Sequence, residues 1–298
     1  MAEQSTYSIS DLASYSGVKA HTIRIWEKRY NLLCPSRSCT NIRAYCNNDL
    51  RKLININSLI NAGWKISKIV ELSDAELEAE VKQLMSGKDS NCSDFLINGL
   101  MTHMLQFDEG KFTDVLIHAF ESYGVKDAML KIVYPFLKRI GVLWQTNDVS
   151  PAQEHFASAI IRRKILATMD AMPKKYTSDK VFILCLPPDE FHELPLLLSQ
   201  YILLEHGIKT VYLGSSVPAD VAVVAAQQAK ATHLCTFFMS NSPMGMLKEY
   251  LVNLQSQLPD IKILFSGCPE MCKKPIVPGN VIHLGGIAEF EEIVKGLE

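Results

Sequence analysis

The sequence predicts a multidomain protein of the α and α/β classes, with a winged helix-turn-helix, a four-helix bundle and a doubly wound, five-stranded parallel sheet. Three observations support this. A glycine-containing turn separates two short helical patterns near the N-terminus, four apolar-periodic stretches fill the middle, and strands alternate with helices in the last third. Because 298 residues exceed the usual size of one domain, we expect two or three units.

Composition narrows the class of protein. Hydrophobic residues make up 48% of the chain, enough for several cores. The sequence lacks an apolar run long enough to span a bilayer, and its first residues lack a signal-peptide pattern, so we expect a cytoplasmic protein without a membrane partner. None of the eight cysteines forms a Cys-x-x-Cys pair, which favours reduced thiols over a zinc or redox site.

Charge is distributed unevenly along the chain. Residues 1–75 hold ten Lys and Arg against six Asp and Glu, a formal charge of +4, whereas the remainder carries −6. A basic module on an acidic body indicates contact with nucleic acid at the N-terminal end.

Residues 1–75 have the pattern of a helix-turn-helix. Ser8 precedes an apolar helical pattern and Asp11 follows three residues later, which predicts a helix N-cap in a capping-box arrangement. Ser16-Gly17-Val18 predicts a turn, and a second helix is expected over 20–29. Two short helices joined by such a turn form the motif.

The next segment, residues 30–45, has a polar centre between β-prone flanks, which predicts a hairpin wing. Its Arg37, Arg43 and Tyr45 are candidates for contacts with phosphates. A capped, amphipathic helix is expected directly after the wing.

The second helix and the wing carry a specific set of motifs. They are Ile23-Arg24-Ile25-Trp26-Glu27-Lys28-Arg29-Tyr30, Pro35-x-Arg37, Arg43-x-Tyr45 and Asp49-Leu50. This set resembles the winged helix-turn-helix of MerR-type transcriptional regulators, although a small helical protein-interaction module is the alternative. The resemblance implies that Lys19, His21 and Arg24 face the major groove of double-stranded DNA. It also implies that Arg37, Arg43 and Tyr45 contact the DNA backbone, and that the chain binds a palindromic operator as a dimer or higher oligomer.

The middle of the chain predicts a helical bundle. Residues 76–92 read as a charged helix and linker, with a domain boundary near 87–91, and residues 93–175 as a four-helix bundle. The four apolar-periodic stretches cover 95–105, 109–123, 125–144 and 151–172.

One pattern in this bundle goes beyond packing: Trp144 is followed after nine residues by Glu154-His155. Trp144 ends the third helix, while Ser150-Pro151 predicts the N-cap and first residue of the fourth. We therefore expect these side chains at one end of the bundle. The alternative is a tryptophan packed in the core, with Glu154 merely favourable at a helix N-terminus.

Residues 178–298 alternate strands with helices, which predicts a parallel, doubly wound sheet with helices on both faces. The predicted strands cover 181–186, 209–213, 233–238, 261–265 and 281–284. The first strand lacks a following Gly-x-Gly-x-x-Gly, so the sequence does not support a dinucleotide site.

The loop after the first of these strands carries Glu190-x-His192. In an open α/β sheet this loop faces the ligand crevice, and a carboxylate close to an imidazole can orient it as a metal ligand. His192 is therefore a candidate metal ligand, although a lone loop histidine is more often a surface or hydrogen-bonding residue. The remainder of the crevice is expected near 214–216, 239–242, Ser266 and Gly267.

Together, the three modules resemble the cobalamin-dependent MerR-type photoreceptor repressors of the CarH and LitR group. The resemblance implies a flavodoxin-like sheet of the cobalamin-binding type, with His192 as the lower axial ligand of cobalt and Glu190 as its orienting neighbour. The other cofactor-binding residues it implies are Trp144, Glu154 and His155 in the cap, and Ser266 and Gly267 at the crevice. It implies a DNA-binding repressor, not an enzyme, whose oligomerisation and DNA binding are gated by adenosylcobalamin and respond to light.

The chain departs from the pattern of that group at four places. Pro195 replaces the glycine of an acidic-x-His-x-x-Gly motif, and residues 236–239 (TFFM) replace a Ser-x-Leu/Thr pattern. Ser266-Gly267 occupies the position where the group has a Gly-Gly pair. Gln145 follows Trp144 at a position where some light sensors of the group have histidine. These departures leave open a cobalamin-independent MerR-type regulator whose C-terminal domain binds a partner protein or another ligand. A cobalamin enzyme is disfavoured because no substrate domain remains.

Overall fold

A computed structural model describes residues 7–33, 35–37, 43–85, 90–145, 149–173, 175–239, 244–267 and 279–297. The chain forms two compact units, 1–160 and 161–298, and each is described by itself. Within those ranges, the helices are too short or too polar to cross a membrane. The centre of the predicted wing, most of the predicted linker and residues 240–242 of the predicted crevice lie outside the described residues.

The first unit begins with the predicted winged helix-turn-helix. Its elements are α1 (Ile9–Ser16), α2 (Ala20–Tyr30), β1 (Ser36–Arg37), β2 (Arg43–Ala44), α3 (Asn47–Asn61), α4 (Ile66–Ile69) and α5 (Asp74–Met85). The capping box at Ser8 is confirmed, because the Ser8 amide donates to Asp11 Oδ2 at 2.6 Å and the Asp11 amide donates to Ser8 Oγ at 3.2 Å. Helix α1 then ends at Gly17, whose φ of 76° is a conformation that glycine adopts without strain.

The wing is a short antiparallel hairpin, as predicted. Strands β1 and β2 pair with Arg37 opposite Arg43. Tyr45, directly after β2, forms a separate antiparallel bridge with Tyr7, which precedes α1. Leucine and isoleucine side chains of α1, α2 and α3 form the core beneath it. Those with 0 to 1% exposure are Leu12, Ile23, Leu50, Leu53, Ile56 and Leu59.

The bundle follows in the predicted order. Its elements are α6 (Ser90–Leu105), α7 (Glu109–Tyr123), α8 (Val125–Ala128), a π-helical segment (Met129–Val133), α9 (Tyr134–Gln145) and α10 (Pro151–Asp170). The sequence predicted one uninterrupted helix over 125–144, whereas the structure inserts the π-helical turn. An apolar pattern over a few residues does not distinguish this wider turn from the α-helix.

The winged helix-turn-helix (residues 1–75, called the head below) and most of the bundle belong to one compact unit that ends at Ile160. The domain boundary expected near 87–91 stays a prediction. Helix α3 of the head contacts both α5 and α6, and buried polar groups connect them. Asn98 of α6 is 4% exposed, and its Nδ2 donates to Ser58 Oγ of α3 at 3.4 Å. Burial of the shared surface joins the two parts.

The second unit contains the α/β sheet. Its elements are β3 (Val181–Cys185), α11 (Leu194–Glu205), β4 (Lys209–Gly214), α12 (Ala219–Gln228), β5 (His233–Phe238), α13 (Met244–Gln257), β6 (Lys262–Gly267), β7 (Val281–His283) and α14 (Ile287–Lys295). The strand order is β4-β3-β5-β6-β7 and all neighbours are parallel. The predicted flavodoxin-like, doubly wound sheet is confirmed, and its switch point lies between β3 and β5.

Candidate DNA-binding face and ligand crevice

Helix α2 buries Ile23 and exposes several of its polar residues. Lys19 at the N-cap, together with His21 and Arg24, is exposed, as contact with a major groove requires. Lys28 is also exposed and follows Arg24 by four residues, so it lies on the same face. Sequence reasoning missed Lys28, although this spacing could have identified it.

The wing is held to α2 by one carboxylate. Glu27 accepts hydrogen bonds from Arg43 Nε at 3.0 and 3.2 Å and from the Tyr45 hydroxyl at 3.1 Å. The bond to Glu27 and its charge raise the pKa of Arg43. Burial, followed by the Glu27 charge, raises the pKa of Tyr45 to about 12. This geometry fixes strand β2 against α2.

The predicted phosphate contacts of the wing are only partly compatible with this arrangement. The Arg43 side chain keeps 34% exposure beside Glu27, whereas Tyr45 is 1% exposed and its hydroxyl already donates to Glu27. A phosphate contact by Tyr45 does not match this geometry, because its ring is in the core of the head. We therefore assign Tyr45 to positioning the wing. The side chain of Arg37 lies outside the described residues.

The predicted cap residues lie at the end of α9 and the start of α10. Trp144 and Gln145 form the last residues of α9, but their side chains lie outside the described part of the chain. Helix α10 begins at Pro151, as predicted. Glu154 and His155 in its first turn are 41% and 78% exposed, and Nδ1 of His155 lies 3.3 Å from Glu154 Oε2.

In the second unit, Glu190 is the centre of the loop after β3. It is 2% exposed, and a buried carboxylate is stable only when several donors satisfy it. Its Oε1 accepts from the amides of Phe191 and His192 at 3.0 and 3.1 Å and lies 2.6 Å from His192 Nδ1, while Oε2 accepts from the Met239 amide at 2.8 Å. The carboxylate therefore fixes both the loop and the imidazole.

The His192 ring projects from this support with 63% of its side chain exposed. A carboxylate can only accept at this Nδ1, so in the neutral ring it selects the tautomer whose Nε2 carries the lone pair. This is the usual arrangement of a histidine that ligates a metal and is oriented by a carboxylate. The geometry thus fits a cobalt ligand at His192.

Loops after three strands meet at Glu190. The Asp189 amide donates to Ser216 Oγ at 3.3 Å, and the Ser216 amide donates to the Glu190 carbonyl oxygen at 3.1 Å. The Met239 amide joins them from the end of β5, across the switch point. Sequence reasoning missed Met239 as a donor, and a backbone amide leaves no composition or spacing signal.

The crevice residues at the ends of β5 and β6 are packed against one another. Ser266 Oγ donates to the Leu284 carbonyl oxygen at 2.9 Å. Gly267 has φ of 97°, and a Cβ there would lie 2.0 Å from the Phe238 carbonyl oxygen, so this glycine is explained by strand packing alone. Phe238 is 2% exposed. Its ring centroid lies 6.3 Å from that of Tyr250 and 6.0 Å from that of Phe265, and both contacts are edge-on.

Pro195 occupies the first turn of α11, which begins at Leu194. Proline is favourable there because its missing N–H would have no partner inside the helix. The residue that departs from the expected glycine therefore has a structural role of its own. The donor set at His192 fits a cobalt ligand, whereas Gly267 is packed directly against the Phe238 backbone.

Comparisons with known proteins agree with this architecture. Residues 7–76 match the sequence family MerR HTH family regulatory protein, and residues 96–168 match the B12 binding domain. The chain is 30% identical over 224 residues to the HTH-type transcriptional repressor CarH of Myxococcus xanthus, covering 74% of both chains. It is 26% identical over 227 residues to the HTH-type transcriptional repressor CarA of the same organism, covering 76% of this chain and 74% of the relative.

A solved structure shares the fold. The monomethylamine corrinoid protein of Methanosarcina barkeri has a TM-score of 0.56 at 16% identity, over 68% of this chain and 98% of that chain.

The recognition helix, the bundle and the sheet define a MerR-type DNA-binding regulator that carries a B12-binding domain. Within this class, the chain belongs to the family of the CarH transcriptional repressors. It is a cobalamin-associated regulator of transcription and not an enzyme. The sequence-based prediction of a MerR-type regulator with a cobalamin-binding domain is confirmed.

Proposed function

We propose that this chain represses transcription and that adenosylcobalamin, with light as the signal, gates its oligomerisation and its binding to DNA. One observation carries the proposal. The exposed imidazole of His192 stands at the carboxyl end of β3 with its Nδ1 2.6 Å from Glu190, a carboxylate that is 2% exposed. A neutral, oriented imidazole is a suitable ligand for a transition metal such as cobalt.

His192 would hold the cobalt of the cofactor, and Glu190 would hold the His192 ring and its tautomer. Trp144, Glu154 and His155 would cover the adenosyl group. When bound, adenosylcobalamin would supply a metal that takes an imidazole ligand and a bond that is sensitive to light. A ligand shifts an equilibrium only by its different affinities for two states, so gating requires that it bind the repressing and released forms unequally.

On the DNA side, Lys19, His21 and Arg24 are assigned to the major groove of a palindromic operator, and Arg37 and Arg43 to phosphates. A dimer or higher oligomer matches such an operator. The Arg24→Gln change is expected to weaken binding to the operator by roughly tenfold or more and to relax sequence preference. Arg43→Gln is expected to weaken binding to all sequences and to reduce the salt dependence of the affinity.

A second candidate keeps the DNA-binding head and omits the cofactor. In it, the α/β domain binds a partner protein or another ligand that changes operator binding. The packing at the ends of β5 and β6 favours this candidate, because the Phe238 backbone lies directly against Gly267 and leaves no room there for even a Cβ.

One experiment separates the two candidates. Full-length wild type, His192→Ala and the control His206→Ala, a histidine of the same domain in the turn after α11, are mixed in the dark with adenosylcobalamin and desalted. Visible spectra are recorded before and after green light. The gating proposal expects retained corrinoid in wild type and control, and a changed spectrum or loss of corrinoid in His192→Ala. If wild type retains no corrinoid at micromolar concentration, the second candidate stands.

A parallel arm uses adenosylcobinamide, which lacks the nucleotide tail. Retention of this compound and not of adenosylcobalamin would show that the chain excludes the nucleotide tail. Operator affinity and oligomer size are then measured in the dark and after light, by fluorescence anisotropy and light scattering. A spectrum that responds to light without any change in affinity or size contradicts gating.

A further inference from the structure

Arg139 of α9 connects the bundle with the DNA-binding head. Its Nη1 donates to Asn98 Oδ1 of α6 at 2.7 Å, and its Nη2 donates to the carbonyl oxygen of Tyr15 in the last turn of α1. Asn98 in turn donates to Ser58 Oγ of α3 at 3.4 Å, and Ser58 donates to the Ile54 carbonyl oxygen at 3.0 Å. One guanidinium therefore links α1 and α3 of the head with α6 and α9 of the bundle.

Arg139 contacts α1 at its C-terminal end, directly before the turn into α2. The last carbonyls of a helix have no partner within it and carry partial negative charge, which a cation stabilises. Arg139 binds the Tyr15 carbonyl, while Asn57 Nδ2 donates to the Ser16 carbonyl at 2.9 Å. The turn over 17–19 leads directly from these residues into the recognition helix α2. Only these three residues therefore separate the end of α1 from the start of α2.

The polar groups of this network are largely buried. Asn98 and Ser58 are 4% and 5% exposed, and burial lowers the pKa of Arg139 from its ordinary value. Removing the guanidinium leaves the Asn98 amide oxygen and the Tyr15 carbonyl without this donor, and buried acceptors of this kind are costly to leave unsatisfied. Loss of the guanidinium is therefore expected to weaken the contact between the head and the bundle.

Arg139 and Trp144 belong to the same helix, five residues apart, which corresponds to about 7.5 Å along its axis. A helix transmits a displacement at one end to the other because its backbone hydrogen bonds resist bending. A displacement of the Trp144 end of α9 would therefore also move Arg139, whose guanidinium contacts Tyr15 close to the turn into α2.

We infer that Arg139 is a positioning residue that transmits the ligand state of the Trp144 end of the bundle to the recognition helix. This inference rests on the proposed function, which assigns Trp144 to the cap over the cofactor. It adds the physical connection by which binding at that end changes the affinity for DNA.

The test compares full-length wild type with Arg139→Gln. Lys138→Gln is the matched control, because it removes the same charge from the exposed preceding residue of α9. Operator affinity is measured in the dark with and without adenosylcobalamin, and the ratio of the two dissociation constants reports the coupling. We expect the wild-type ratio in Lys138→Gln and a ratio reduced by roughly tenfold in Arg139→Gln, with an unchanged corrinoid spectrum. A merely structural role lowers the melting temperature and leaves the ratio unchanged.

A second readout needs no cofactor, so the inference and the proposed function fail separately. Hydrogen exchange in the cofactor-free protein is compared over residues 9–20 and 90–105. Arg139→Gln is expected to speed exchange in both segments, and Lys138→Gln is not. If wild type retains no corrinoid, the proposed function fails and exchange still tests the contact. Wild-type exchange in Arg139→Gln, or a wild-type coupling ratio, overturns the inference.

Arg139→Lys covers the case in which Arg139→Gln does not fold. Lysine keeps the charge but is a single point donor and does not reproduce the fork that reaches both Tyr15 and Asn98. The coupling ratio of Arg139→Lys is expected to lie between the wild-type ratio and a ratio of one, at which adenosylcobalamin does not change the affinity for the operator. A wild-type ratio in both Arg139→Lys and Asn98→Ala contradicts the inference.

Discussion

The Nε atom of Arg162 lies 2.7 Å from Oε2 of Glu193. The other carboxylate oxygen of Glu193 accepts from the Tyr212 hydroxyl at 3.1 Å. Arg162 belongs to α10, whose first turn carries Glu154, and Glu193 directly follows His192 and precedes α11. An ion pair thus joins α10 to the loop that carries the candidate cobalt ligand.

This ion pair is expected to contribute little to stability. Arg162 is 49% exposed and Glu193 15% exposed, and water screens such pairs. A double-mutant cycle with Arg162→Gln and Glu193→Gln should give a coupling energy of about 0.3–1 kcal/mol in the free energy of unfolding. Glu205→Gln is the control, because Glu205 accepts from a tyrosine hydroxyl on the same helix. A cycle that gives a coupling energy above about 1 kcal/mol, or none, would contradict this prediction.

Glu190→Gln should be much more damaging than loss of a neighbouring charge. An amide in place of the buried carboxylate turns one of its oxygens into a donor that faces other donors, so we expect a loss of about 1–3 kcal/mol. Asp189→Asn is the control, since Asp189 is exposed with φ of 63°, a conformation that asparagine tolerates. Urea denaturation followed by circular dichroism measures both. Equal effects would contradict the central role of Glu190.

Acid should destabilise the second unit through His233. This histidine is 3% exposed and stacked on Phe182 at 4.4 Å, and burial lowers its pKa from 6.5 to about 4. Since the unfolded chain takes up the proton first, this contribution is complete above about pH 6.5 and is lost as the pH falls toward 4. The loss is on the order of 3 kcal/mol.

Calorimetry at several pH values between these limits tests the prediction. His233→Gln should remove this part of the pH dependence, whereas His206→Gln, which keeps the His233 ring, should retain it. The same acid sensitivity in wild type and His233→Gln would assign it to other groups.

Gly267→Ala should destabilise the sheet. The new Cβ would meet the Phe238 carbonyl oxygen at 2.0 Å on a backbone with φ of 97°, which combines a clash with conformational strain of about 2 kcal/mol or more. Gly286→Ala is the control, because its backbone is extended and nothing lies within 4 Å of the new Cβ. Thermal unfolding should show a clear drop for the first variant and a small effect for the second.

Much of the fold could be predicted because its signals are local. The Ser8 capping box, the turn at Gly17 and the start of α10 at Pro151 each depend on residues within one helical turn. The alternation of strands and helices predicted the parallel sheet, since only crossover connections join parallel strands. The π-helical turn at 129–133 was not predictable, because a single widened turn barely alters an apolar pattern.

The sequence by itself therefore determined the classes of element, the order of the modules, and the candidate residues His192, Glu190 and Arg24, since short-range periodicity and motifs specify these. Only the tertiary structure decided which polar groups meet. In the folded chain the Tyr45 hydroxyl donates a hydrogen bond to Glu27, which is 18 residues away in sequence. Arg139 donates to the carbonyl oxygen of Tyr15, which is 124 residues away. The physical reason is that packing of distant elements sets these distances, and no local pattern records the burial that makes such hydrogen bonds necessary.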